Sequence, residues 1–208
     1  MLDVGQMITF DMGGTSSDIS LIVDGEATLS ADRSVAGEKI ALSSLDIITL
    51  GAGGGSIAWA NSGGLLEVGP HSAGAVPGPA CYGRGGTEAT VTDANVALGY
   101  LDPSNFLGGN DNLDLAAAYT ALDKLGERLG VEQIAAAEGV FRVVNTQMAE
   151  GIRLATVRRG VDPRHFALLG FGGAAGLHVT SLARILDLKR VIVPRVASVL
   201  SAWGMLTT

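Results

Sequence analysis

Phe10-Asp11-Met12-Gly13-Gly14-Thr15-Ser16-Ser17-Asp18-Ile19 is the stretch whose reading decides the fold. Met7 to Asp11 is an apolar run ending on an acidic residue, the pattern of a buried strand. Ile19 to Val23 is a second apolar run, closed by Asp24-Gly25. Gly13, Gly14, Thr15 and Ser16 turn the chain between them, so the whole reads as a β-hairpin. A third strand is expected at Ala27 to Ser30. The turn also has the chemistry of a phosphate site. A carboxylate at a strand end, Asp11, suits a hydrated Mg2+. Two glycines let the backbone approach phosphate oxygens, the hydroxyls of Thr15, Ser16 and Ser17 add donors, and Asp18 is placed to orient a water or the metal. It is not a Walker loop, because the Gly-Lys-Ser/Thr ending is absent. It is not a Rossmann fingerprint either, because the next element reads as strand. An ordinary polar Gly-Gly hairpin fits the same residues.

Outward from the hairpin, Gly51 to Gly86 is dominated by glycine and carries Pro70, Pro77 and Pro79. Loops and short strands are expected there, packed through Ile57, Trp59, Leu65, Leu66, Val68 and Val76. Thr92 to Leu101 reads as a short helix capped by Asp93 and ended by Gly99. Asp114 to Leu129 is helical and stopped by Gly130. Glu132 to Arg159 is the clearest helix, with Ala137, Phe141, Val144, Met148, Ile152 and Ala155 on one face. Phe166 to Phe171 reads as a buried strand, Ala174 to Leu186 as a helix, and Arg190 to Val193 as a strand stopped by Pro194. No internal repeat is visible. Both ends are abrupt, with Val199 to Thr208 running apolar and uncapped, so the chain reads as a piece of a longer one.

The bulk numbers narrow the function classes. Hydrophobic residues make up 47% and charged residues 17% of 208, which excludes disorder. Glycine reaches 30 residues, roughly twice its usual share of about 7%. The net charge is −7 with no basic run, so nucleic acid is not an expected partner. The single cysteine, Cys81, points to a reducing, cytoplasmic setting. No run of about 20 apolar residues is present, so no membrane span is expected.

A second glycine motif, Leu169-Gly170-Phe171-Gly172-Gly173-Ala174-Ala175-Gly176-Leu177-His178, joins a buried strand to a helix start. Open N–H groups favour an anionic or polar ligand there, and small residues let a flat adenine ring lie on the backbone. A tight strand–helix turn explains the same glycines without a ligand. His178 is a proton donor, a ligand or a structural histidine, while His71 and His165 read as surface residues. Cys81 lacks an evident base or helix N-terminus to activate it and reads as a buried structural thiol. Arg84 contacts substrate or phosphate, or is solvated. Arg158 and Arg159 suit a helix C-terminus.

Taken together, the motifs resemble one family. Phe10 to Ile19 looks like the second-lobe phosphate loop of the sugar kinase/Hsp70/actin superfamily. Gly51 to Trp59, Gly69 to Gly86, and Thr92-Asp-Ala-Asn95 with Leu98-Gly99 are similar to segments of hydantoinase A, 5-oxoprolinase and the acetone carboxylase β subunit. Phe171 to His178 resembles that family's adenosine-side loop, and the match runs in order along nearly the whole chain. The resemblance implies an α/β fold: a ribonuclease H-like, actin/sugar-kinase/Hsp70-type ATPase lobe. A Gly-rich inserted region would span about residues 30–110, and a mainly helical α/β part 111–208. It implies ATP and Mg2+ as cofactors and a hydrolase that activates a cyclic amide, of hydantoin or 5-oxoproline type, by phosphorylating its oxygen. Asp11 and Asp18 would be catalytic, with Asp11 on the metal. Gly13, Gly14, Thr15 and Ser16 would hold phosphate, and Gly172, Gly173 and Gly176 the nucleoside. Asp93, Asn95, Arg84 and His178 are the substrate-side candidates, although Asp93 reads first as a helix cap. No earlier Asp-x-Gly-Gly-Thr stretch precedes this one, so the implied partners are an N-terminal lobe of the same chain and a hydantoinase B-type subunit. The piece alone is expected to be inactive. Some oxoprolinase-like relatives have His where Ile48 stands. The alternatives are a β-type subunit of an ATP-dependent ketone carboxylase, or a non-catalytic actin-like ligand-binding module.

Overall fold

Ile8, Phe10 and Met12 are fully buried while Met7, Thr9 and Asp11 keep partial exposure, and this alternation makes Met7–Met12 a strand, β1. Ser17–Val23, β2, repeats it with Ser17, Ile19 and Leu21 inward. The structure, a computed structural model, describes residues 4–30, 33–35, 38–40 and 43–207; of the expected inserted region, residues 31, 32, 36, 37, 41 and 42 lie outside these. Six short strands follow: β3 (Glu26–Ala27), β4 (Leu29–Ser30), β5 (Arg33–Val35), β6 (Glu38–Ile40), β7 (Ser44–Leu45) and β8 (Ile48–Leu50). A hairpin comes next, β9 (Ser56–Ala60) and β10 (Leu66–Ser72), then α1 (Val91–Ala97), α2 (Leu115–Leu129) and α3 (Gln133–Arg158). The chain ends with β11 (Ala167–Phe171), α4 (Val179–Ile185), β12 (Arg190–Ile192) and α5 (Leu200–Thr207).

Two compact units emerge. One comprises Met1–Asp11, Asp18–Thr49 and Ala149–Thr208. Its main sheet runs β12-β11-β1-β2-β3, with β8 also on β2. β1 pairs parallel with β11, Asp11 opposite Phe171, and β11 parallel with β12. β2 pairs antiparallel with β3, so the sheet is mixed. The other unit comprises Met12–Ser17 and Leu50–Met148. There the β9/β10 hairpin meets α1 and α2, and Cys81, Val96, Leu113 and Ala118 form a cluster flanked by Tyr82, Leu101, Phe106 and Leu115.

The class is mixed α/β, as the sequence implied. Several local expectations shift. The third strand is not continuous: β3 pairs with β2, while β4 pairs with β7 in a separate two-stranded sheet. The 92–101 helix starts earlier and ends sooner, because Thr90 rather than Asp93 is its N-cap and Asp93, three residues in, closes a capping box. Gly99, at φ +74°, ends it. The helix expected from Ala174 is broken into a 3₁₀ turn at Ala175–Leu177 and α4 from Val179. On α3 the buried stripe is Ala137, Val140, Val144, Met148, Ile152 and Ala155. Phe141 is half-buried and stacks on Tyr100, ring centres 4.9 Å apart. Asp114 caps α2 by accepting from the Ala117 N–H, and Gly130 closes it at φ +68°. Among the described residues no helix is long and apolar enough to cross a membrane.

Candidate functional site

The turn of the β1/β2 hairpin closes on itself through Gly13 N–H to the Ser16 carbonyl, 3.1 Å. A second glycine stretch lies directly against it. Gly54 N–H donates to the Gly13 carbonyl at 3.0 Å, and Gly55 N–H to the Gly14 carbonyl at 2.6 Å. A Cβ on Gly53 would come within 2.7 Å of the Gly14 and Thr15 backbone, and one on Gly55 within 2.9 Å of the Gly14 carbonyl. Only glycine allows two backbones to lie this close. A planar trans peptide points its C=O and N–H in opposite directions, and the two peptides here are trans. With the Gly13 and Gly14 carbonyls held by Gly54 and Gly55, the Gly14 and Thr15 N–H groups are turned to the opposite side. That side is open: Gly14 and Thr15 are exposed, and a Cβ on Gly13 or Gly14 would meet nothing within 4 Å. Successive N–H groups facing one way form a concavity for an anion.

A relay of hydrogen bonds supports the buttress. The Gly54 carbonyl in turn accepts from the N–H and hydroxyl of Thr92, at 2.7 and 2.8 Å. Thr92 sits in the first turn of α1, whose start is fixed by the Thr90/Asp93 capping box. Asp93 is fully buried. Its Oδ2 accepts from the Thr90 hydroxyl (2.7 Å), the Thr90 N–H (2.9 Å) and the Ala80 N–H (3.2 Å), and its Oδ1 from the Cys81 N–H (2.8 Å). Buried and holding four donors, Asp93 ties the Ala80-Cys81 segment to the start of α1 and offers no oxygen to a ligand from solvent. Asn95 is buried beside it on α1. Burial, together with the Asp93 charge, pushes the Cys81 thiol far above the usual range, so it is no nucleophile. Arg84 is paired with Asp111 at 3.3 Å and lies 5.7 Å from the Tyr82 ring centre.

The carboxylates at either end of the hairpin motif are partly exposed, and each accepts one hydroxyl. Ser201 donates to Asp11 Oδ2 at 3.1 Å, and Thr49 donates to Asp18 Oδ1 at 2.6 Å. Beyond Phe171, opposite Asp11 on β11, Gly172 turns the chain at φ +89°, and its N–H donates to the Ala197 carbonyl at 2.9 Å. Gly173 and Gly176 have open space where a Cβ would stand, whereas a Cβ on Gly170 would land on Val179 Cγ1. His178 is fully buried at the N-cap of α4, and burial pulls its pKa down to about 4, so it is neutral near pH 7. His71 and His165 are exposed. Among the described residues no group of three or more His, Cys, Asp or Glu is gathered to hold a metal.

Sequence reasoning missed Gly53 to Gly55 as the hairpin's backing, and Thr92, Ser201 and Thr49 as partners. A cue did exist for the start of the helix that carries Thr92: Thr90-x-x-Asp93 is a capping-box spacing.

The hairpin's open amides and the two partly exposed carboxylates sit on a mixed α/β frame, and the chain belongs to the hydantoinase/oxoprolinase family, whose model matches residues 1–208. Caprolactamase subunit alpha of Pseudomonas jessenii is 50% identical over 98% of this chain and 29% of its own length. The crystal structure of the ATP-dependent caprolactamase from that organism superposes with a TM-score of 0.89 over 97% of this chain and 29% of that one. 5-Oxoprolinase 1 of Arabidopsis thaliana is 40% identical over 96% of this chain and 17% of its own length. A nucleotide-free acetone carboxylase, solved in a study of ATP-dependent acetone carboxylation, is 32% identical over 98% of this chain and 29% of that chain, with a TM-score of 0.89. The chain therefore spans under a third of each of these relatives.

Proposed function

We propose that this chain is the phosphate-loop part of an ATP-dependent amidohydrolase that opens a cyclic amide, of hydantoin or 5-oxoproline type. The carrying observation is the pair of open N–H groups at Gly14 and Thr15, held in place from behind by Gly54 and Gly55. In this reading Gly13, Gly14, Thr15 and Ser16 receive phosphate oxygens, and Asp11 and Asp18 face the metal and the attacking water. Gly172, Gly173 and Gly176 take the nucleoside. Mg2+ suits such a donor set: it keeps most of its waters and takes one or two carboxylates together with the phosphates, so no three-residue protein cluster is needed. Bound ATP supplies the phosphoryl group that turns an unreactive amide oxygen into a leaving group. The backbone amides contribute fixed dipoles aimed where negative charge accumulates, at no reorganisation cost. Asp11 and Asp18 remain exposed enough to reach a hydrated cation.

The cyclic-amide substrate is favoured by the relatives, a caprolactamase at 50% and an oxoprolinase at 40% identity. The acetone carboxylase likeness supports a second reading, activation of a ketone oxygen by the same part. The whole enzyme would add an N-terminal lobe with the first phosphate loop and a hydantoinase B-type subunit, in a reducing cytoplasm that suits the buried Cys81. Within this chain, about residues 30–110 would be an insertion into the ATPase lobe and 111–208 its helical part. Titration calorimetry with Mg·ATP on the 208-residue chain and on Asp11→Ala tests the assignment. Binding by the first, loss in the second and no turnover of hydantoin or 5-oxoproline by either are expected. Equal binding in both removes the phosphate-loop reading, and turnover by the chain alone removes the need for a second lobe.

A further inference from the structure

We infer that Ser201 and Thr49 are positioning residues for the two motif carboxylates, each hydroxyl fixing one oxygen of its aspartate so that the other meets the hydrated cation in a single orientation. The inference rests on the phosphate-loop reading of the hairpin. Ser201 lies 190 positions from Asp11 and Thr49 31 positions from Asp18, yet each donates directly, at 3.1 and 2.6 Å. Neither hydroxyl belongs to the motif. Both aspartates receive the same device from later in the chain: Asp11 from the start of α5, Asp18 from the middle of β8.

The placement of Ser201 is not a by-product of packing, because α5 buries no residue. It follows from the segment before it. The 3₁₀ turn Ala197–Val199 is anchored by the Gly172 N–H on the Ala197 carbonyl and closed by Ala197 N–H to Pro194 and Val199 N–H to Val196. One stretch of chain thus touches β11's exit by its backbone and the Asp11 carboxylate by a side chain, and register pairing already sets Asp11 against Phe171. Thr49 is set by β8, which pairs with β2, the strand carrying Asp18. Both hydroxyl residues are exposed, so the bonds add little to folding. A partner that holds the second oxygen of a metal-facing carboxylate sets its direction and raises metal affinity, and losing it costs about 10- to 100-fold.

The test uses the full-length protein and titration calorimetry: Mg2+ titrated at fixed ATP, and ATP titrated in EDTA. Ser201→Ala and Thr49→Val should each raise the half-saturating Mg2+ about tenfold and leave ATP binding in EDTA unchanged. Ser201→Thr and Thr49→Ser keep a hydroxyl and should restore the Mg2+ dependence. Wild-type Mg2+ dependence in Ser201→Ala and Thr49→Val, with binding lost in Asp11→Ala, overturns the positioning role and leaves the phosphate loop standing. Failure of the hydroxyl-retaining variants to restore also overturns it, since shape rather than the bond would then matter. Wild-type binding in Asp11→Ala removes the phosphate-loop reading itself, and this inference with it.

Discussion

Two glycine-rich regions, the hairpin turn at Gly13–Gly14 and the exit of β11 at Gly172–Gly176, look interchangeable in the sequence, but the structure builds them differently. The hairpin is backed by a second backbone: Gly53 and Gly55 are glycine because Gly14 and Thr15 leave no room for a side chain. The β11 exit is backed by a helix, and Gly170 is glycine because Val179 fills the space. In both regions the residues facing outward, Gly13, Gly14, Gly173 and Gly176, are crowded by nothing. Packing inside the chain explains the rear glycines and does not require glycine at the forward ones.

That division can be broken by substitution. The largest effect should come from Asp93→Ala, which removes the buried acceptor of four donors and unseats the relay through Thr92 to Gly54. A loss of about 3 kcal/mol or more in denaturant unfolding is expected; a loss under about 1 kcal/mol would mean the hairpin's backing does not depend on this cap. Gly53→Ala should cost about 1–3 kcal/mol by overpacking, read as a drop in melting temperature, and unchanged melting would show that the two backbones can part freely. The β11 exit has a pH signature of its own. The unfolded His178 takes a proton near pH 6.5, while the buried one resists until about pH 4. Stability should therefore fall on acidification through that window, by at most about 1.4 kcal/mol per pH unit, and His178→Phe should flatten that part of the profile. Smallest of all, Gly13→Ala and Gly173→Ala should leave unfolding within about 0.5 kcal/mol of wild type. If either melts as badly as Gly53→Ala, the forward glycines are structural after all.

The sequence made some of this legible and hid the rest for physical reasons. The apolar runs around Phe10 and Ile19 read correctly as strands, and the helical stripe from Ala137 to Ala155 was legible except that Val140, not Phe141, is its fully buried member. Gly13–Gly14 as a turn is local chemistry and was equally readable. The contact of Gly54 with Gly13 is not: it joins backbones 41 positions apart without a side chain to mark it. The start of α1 was misjudged because Asp93 looks like a cap, whereas Thr90 takes that role and Asp93 answers it. The helix from Ala174 was read as continuous because nothing in Ala175-Gly176-Leu177 forbids an α-helix, yet the segment tightens to 3₁₀ before α4 begins. Ser201 and Thr49 carry no periodicity and no motif; only their bonds reveal them.

The single cysteine gives this architecture a built-in reporter. Cys81 lies in the cluster that joins α1 and α2, with no exposed surface, and its N–H is one of the four donors on Asp93. A thiol reagent can modify it only in molecules where that cluster has come apart. Brief labelling pulses followed by mass spectrometry would therefore count transient openings beneath the hairpin's support without adding a probe, and would separate a loosened scaffold from a damaged ligand face in any of the variants above.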